Sequence, residues 1–188
     1  DKEPTVQIDQ NLYSRQIGAY GVETMGKLVQ LRVFIYGLRG DDSLNFFHLI
    51  LVGIETAKNL ILAGPKQVIV QDDHKVEIRD LGVNFYCREE DVGKRTRAEA
   101  SITQLKQLNP YVDVQTHSGE ITEDFLSNFD VVVFTDYYHK KNLIKWNNFV
   151  RNRGAGFIYA GNLGLYGFTF VDFGSSFTVF DATGEDPR

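Results

Sequence analysis

Two glycines, Gly37 and Gly40, close the apolar run RVFIYGLRG at 32–40. A strand that ends in a glycine turn and leads into a helix is how backbone N–H groups and a helix N-terminus are brought to a phosphate. Here the pattern is interrupted. The matching helical segment, GIETAKNLILAG, starts only at Gly53, and twelve residues, DDSLNFFHLILV (41–52), lie between. Such a turn must be tight, and a dozen mostly bulky residues would fill or displace the site. The chain carries the outline of a nucleotide fold while arguing against nucleotide binding. A free-standing oxidoreductase is disfavoured because no GxGxxG fingerprint is present.

Other residue types with chemical capacity are few. Asp72 and Asp73 close the second apolar run, about where such a fold sets a carboxylate on a ribose hydroxyl. With the glycine turn broken, two solvated aspartates in a turn is the favoured reading. His48, His74, His117 and His139 form no i, i+4 pair and have no second cysteine nearby, so no metal site is expected. Cys87, in FYCREED, reads as a buried structural thiol; a catalytic thiol stays open, since its base can come from far along the chain. The mixed-charge run REEDVGKRTR (88–97) is explained by acids placed before and at the start of a helix. Arg15 differs. Within LYSRQIGAYGVETMGKL it sits with Tyr13 and Gln16 on a helix expected outside the core, and nothing in the fold of residues 32–160 requires an arginine there.

The elements that must position these residues alternate. After a polar helical stretch (11–30) come strand 32–37, helix 53–63, strand 67–71, helix 92–109, strand 112–116, a short helix near 122–127, strand 130–135, helix 138–153 and strand 156–160. This order predicts an α/β fold, a Rossmann-like parallel sheet flanked by helices. VIVQ, VVVF and FIYA are nearly continuous apolar runs, as strands covered on both faces require. LYGFTFVDFG and SFTVFDATGE alternate between Gly corners, which predicts antiparallel strands at the C-terminal edge.

At 188 residues and 43% apolar side chains, the chain suffices for one compact domain. A formal charge of −5 gives no reason to expect a nucleic-acid surface. One cysteine excludes an intramolecular disulfide, and no apolar run approaches a membrane span, so a soluble intracellular protein is expected.

In this order and spacing, LYSRQ, GLRG, GIETAKNLILAGPKQV, FYCREEDVGK, RAEASITQLKQLNPYVDV, EDFLSNFDVVVFT and FTVFDATGEDP resemble the inactive adenylation half of the ubiquitin-activating enzymes. The resemblance covers nearly the whole chain. The non-catalytic subunit of the SUMO-activating enzyme is similar through NLILAG, RAEAS, LNPYVDV and YGFTF, and a SUMO- or NEDD8-type activating enzyme stays as the alternative; EDFLSNF and GEDP favour the ubiquitin enzyme. The resemblance implies the ThiF/MoeB-type adenylation fold over 1–188 as part of a longer enzyme, with 41–52 as an insertion and 181–188 as the start of a linker. It also implies a cytoplasmic and nuclear location.

Departures from the active half point to a silent one. An Asn-Arg-Gln-Phe segment that contacts nucleotide is replaced here by Gly82, Val83, Asn84 and Phe85. A catalytic lysine falls on Thr96 or Arg97. A magnesium-binding Asp-Asn pair falls on Thr135 and Asp136, so Gly37, Gly40 and Asp72 are expected to be vestigial. ATP and magnesium would bind only in the full-length enzyme. The insertion is either a loop particular to this lineage or untranslated sequence kept in the reading frame. Its apolar content predicts that it folds back on the protein or is poorly ordered.

The implied partners are the active adenylation domain of the same enzyme, ubiquitin, and conjugating enzymes reached through other domains. In the family, an arginine of the Tyr-x-Arg-Gln helix reaches into the partner's active site. The match is Arg15, so its implied role is catalytic in trans. A purely structural scaffold, with Arg15 incidental, is the competing reading.

Overall fold

The computed structural model describes residues 9, 11–38, 52–136, 138–163 and 166–178. Strands β1 (Arg32–Tyr36), β2 (Gln67–Gln71), β3 (Asp113–Thr116), β4 (Val131–Phe134) and β5 (Gly156–Leu163) pair in parallel, and β6 (Tyr166–Asp172) runs antiparallel to β5. Their order across the sheet is β3-β2-β1-β4-β5-β6. The order reverses between β1 and β4, and ligand crevices of such sheets open beyond the carboxyl ends at that point. The edge strand β6 lies where the alternating sequence placed it. The following segment, 176–185, forms no strand over 176–178 and otherwise lies outside the described residues.

Alternation along each strand feeds two cores. Val33, Ile35, Val68, Val70 and Val133 point to the face covered by helices α2 (Val52–Ala63) and α3 (Arg97–Leu108), through Ile54, Ala57, Ile61 and Leu105. Phe34, Val132, Phe134 and Phe157 point to the other face, against Leu126 of α4 (Glu123–Leu126) and Trp146 and Val150 of α5 (Lys140–Asn152). The near-continuous apolar runs are thus the signature of strands buried on both sides.

Two helix boundaries differ from expectation. α3 begins at Arg97 rather than 92, because Thr96 is extended and caps it. The Thr96 hydroxyl accepts from the Glu99 N–H at 3.1 Å and the Glu99 carboxylate accepts from the Thr96 N–H at 2.8 Å, a reciprocal capping box. Residues 89–91 upstream form a separate 3-10 turn. The N-terminal helix α1 (Ser14–Leu28) is broken at Gly21, where φ is 80°. It lies outside the sheet: the Gln16 side chain donates to the Ala63 carbonyl, the Tyr13 ring covers Gly64, and Met25 alone in α1 is buried. No helix among the described residues is long and apolar enough to cross a membrane.

Candidate functional site

At the reversal point, β1 ends in Gly37 with φ 92°, a conformation that a side chain would strain. The Gly37 N–H donates to the Gln71 carbonyl at 2.8 Å, and the Thr135 hydroxyl lies 2.7 Å from the Gly37 carbonyl. The first turn of α2 packs directly on this corner. A Cβ on Gly53 would stand 2.3 Å from the Gly37 oxygen and 2.6 Å from Thr135 Oγ1, so only glycine permits the approach. The start of α2 thus seats on the corner across the twelve intervening residues, because Gly53 carries no Cβ. Gly40 and the insertion up to Leu51 lie outside the described residues.

Asp72 corrects an expectation drawn from the sequence. It is no solvated turn residue: its side chain is fully buried, while Asp73 beside it is exposed. One carboxylate oxygen accepts from the Leu38 N–H at 2.9 Å. The other accepts from the His74 N–H at 3.1 Å and lies 3.2 Å from His74 Nδ1. Arg97 Nη1 stands 3.3 Å away, and Arg97 Nε donates to Asp80 at 2.9 Å. Burial pushes the Asp72 carboxyl up, but the His74 hydrogen bond, the Arg97 charge and the backbone donors outweigh it and hold it below its ordinary value. The hydrogen bond to Asp72 in turn raises His74.

The other positions follow. Of the two positions matched to the expected lysine, Thr96 caps α3 and Arg97 is buried in ion pairs with Asp72 and Asp80. Asn84 is buried and donates to the Ser101 hydroxyl at 3.1 Å, whereas Phe85 is exposed. Thr135 serves the corner described above, and Asp136 packs against Gly37. Asp72, His74 and Asp136 have potential ligand atoms within 4.8 Å of one another, a grouping the sequence reading missed although the spacing Asp-Asp-His carried a hint of it. Both oxygens of Asp72 accept from backbone donors and a guanidinium adjoins it, so among the described residues it takes part in a hydrogen-bonded ion-pair network. Tyr36 beside it is pushed up to about 12, by burial first and then by Asp136 and Asp72. Cys87 is buried, in keeping with the sequence reading, and burial pushes its thiol up to about 11. Arg15 is exposed on α1 and makes no hydrogen bond or ion pair with any other described residue.

Residues 13–184 match the model of the ThiF family. The chain is 43% identical over 189 residues to ubiquitin-activating enzyme E1 2 of Arabidopsis thaliana, covering all of this chain and 16% of that protein. It is 42% identical over 180 residues to ubiquitin-like modifier-activating enzyme 1 of Homo sapiens, covering 96% of this chain and 16% of that one. It therefore spans about a sixth of the length of these relatives. Among solved structures, Escherichia coli MccB with succinimide superimposes with a TM-score of 0.60 at 26% identity, over 79% of this chain and 44% of that one. PaaA superimposes with a TM-score of 0.63 at 17% identity, over 86% of this chain and 50% of that one, a likeness of fold alone. The family match, the parallel sheet with its antiparallel edge and the whole-length similarity to activating enzymes agree: the chain belongs to the ThiF family, with the adenylation-type fold of the ubiquitin-activating enzymes it resembles.

Proposed function

We propose that this chain is the non-catalytic adenylation half of a ubiquitin-activating enzyme, which pairs with the active half and lends it Arg15 in trans. The observation that carries the reading is Asp72. Its carboxylate is fully buried and committed to Arg97 and the Leu38 N–H, so it offers no acceptor to a ribose hydroxyl. On this reading the corner takes no ATP of its own. ATP and magnesium belong in the partner half, and the whole enzyme joins the ubiquitin C-terminal carboxylate to AMP before passing it to a cysteine and then to conjugating enzymes. A cytoplasmic and nuclear setting goes with that activity.

Arg15 fits the role in trans by what it does not do at home. It is exposed on a helix docked to α2, with its charge unspent on any other described residue. Adenylation concentrates negative charge on the α-phosphate as pyrophosphate leaves, and a permanently charged planar fork can hold two phosphate oxygens at once.

The test is Arg15→Ala in the full-length enzyme, read by ATP–pyrophosphate exchange. A loss on the order of 10²-fold is expected, with the melting temperature nearly unchanged, because an exposed helical arginine contributes little to folding. Arg15→Lys restores part of the rate, since the ammonium keeps the charge without the fork. Unchanged exchange at saturating ATP and ubiquitin leaves the scaffold reading as the better account.

A further inference from the structure

Helix α5 is out of keeping with the chain that carries it. The protein has a formal charge of −5, yet α5 holds Lys140, Lys141, Lys145 and Arg151 with no carboxylate, and Arg153 follows directly. The placement works against the helix. Cations in a first turn meet the positive end of the dipole, where acids would stabilise by about 0.3–1 kcal/mol. His139 at the N-cap provides no side-chain cap hydrogen bond. Lys145 reaches Glu123 at 3.8 Å and Arg151 is bonded to Asp172, but Lys140 and Lys141 are exposed and form no ion pair with any other described residue. A local rule broken without local compensation is where a functional demand is expected.

Along the same helix runs a groove of about 400 Å³. It is lined by Leu143 and Ile144 of α5 and by Phe157, Tyr159 and Phe170 of β5 and β6, with Lys140 beside them. Ile144 is 51% and Phe170 49% exposed, so apolar surface faces solvent next to unpaired cations. Asp172 is held by Asn147 and Arg151 and leaves no unpartnered carboxylate of its own to repel an acidic visitor.

We propose that this groove docks an acidic segment of a partner protein, in which aspartate or glutamate residues flank leucine or phenylalanine anchors. The anchors fill the apolar groove. The carboxylates meet Lys140, Lys141 and the amino end of α5, which relieves the charge conflict the free helix carries. Charge complementarity selects this occupant over a second copy of the chain, whose own α5 would bring like charge. The inference is independent of the role of Arg15 and stands or falls separately from it.

The test is fluorescence anisotropy of the chain with a fluorescein-labelled probe peptide, EDEFLDELLEDE. Saturable binding is expected, weakened at least tenfold by Lys140→Glu with Lys141→Glu and at least tenfold by Ile144→Asp. These are all solvent-facing changes, and unchanged far-UV circular dichroism melting verifies the fold of each variant. Binding falls when salt is raised from about 50 to 500 mM, as exposed ion pairs are screened. Absence of binding, equal affinity for the same peptide with lysine at every acidic position, or insensitivity to these substitutions overturns the proposal. Sedimentation with phosphatidylserine-containing vesicles while the peptide stays unbound overturns it in favour of a membrane surface.

Discussion

Arg97 bridges Asp72 and Asp80, its Nη1 3.3 Å from one carboxylate and its Nε 2.9 Å from the other. None of the three side chains is more than 3% exposed. A guanidinium placed here neutralises charge that water cannot reach, and it does so at the corner where a nucleotide fold would receive its ligand. The same contact is therefore a packing device set into the corner itself.

Removing the cation leaves two buried carboxylates uncompensated. Arg97→Ala is expected to cost about 3–5 kcal/mol of unfolding free energy, read from urea denaturation. Arg97→Lys loses less, because its compact ammonium keeps the charge but not the fork that reaches both partners. Replacing the group together, Arg97→Met with Asp72→Asn and Asp80→Asn, costs less than Arg97→Met alone, because no charge is then stranded. A loss below about 1 kcal/mol for Arg97→Ala would show that water or another cation enters the corner.

The titration of this network sets the pH dependence. Asp72 titrates below its ordinary value of 3.8 in the folded chain, so its contribution is present above 3.8 and is lost as pH falls through the lower folded value. His74 is raised above 6.5, so its contribution is fully present below 6.5 and is lost as pH rises through the higher folded value. Urea midpoints across pH 3 to 9 are expected to fall steeply at the acid end and slightly above neutrality, the second effect being small because His74 is more than half exposed. His74→Ala abolishes the slope above neutrality and also shrinks the acid limb, because the His74 hydrogen bond leads the contacts that hold Asp72 down, with Arg97 and the Leu38 N–H keeping part of it. A slope above neutrality that survives this change would assign it to another group.

How far the sequence disclosed this molecule depended on the distance between cooperating residues. The strands were legible because Val33, Phe34 and Ile35, or Val131 to Phe134, alternate between two cores and so must be apolar throughout. The place of Asp72 at the end of β2 was legible as well. Its role was not, because the partner that defines it lies 25 residues away, inside a mixed-charge run already accounted for by acids at a helix start. Tertiary packing turned Arg97 inward while Arg95 and Glu99 stayed outside. The seating of α2 was hidden for another reason: the length of the connection carries no information about it, whereas the approach of Gly53 to the Gly37 carbonyl and Thr135 requires that Gly53 lack a Cβ.

That contact allows the effects of the interrupted turn and of the buried carboxylate to be separated. Deleting residues 42–52 leaves Asp41 as the single residue between GLRG and Gly53. The frame of the corner is set by Gly37, Gly53 and Thr135, and a shorter connection lowers the closure entropy by only about 0.6 kcal/mol per halving of loop length, so the deletion variant is expected to fold with a melting temperature within a few degrees of the parent. If the Asp72–Arg97 pair is the block, shortening the turn restores no nucleotide site, and calorimetry with ATP and magnesium detects no micromolar binding in either protein. Micromolar affinity in the deletion variant alone would make the insertion the block and would sink the reading of this corner as silent by its own internal charges. Equal, measurable affinity in both would remove the basis for calling it silent at all.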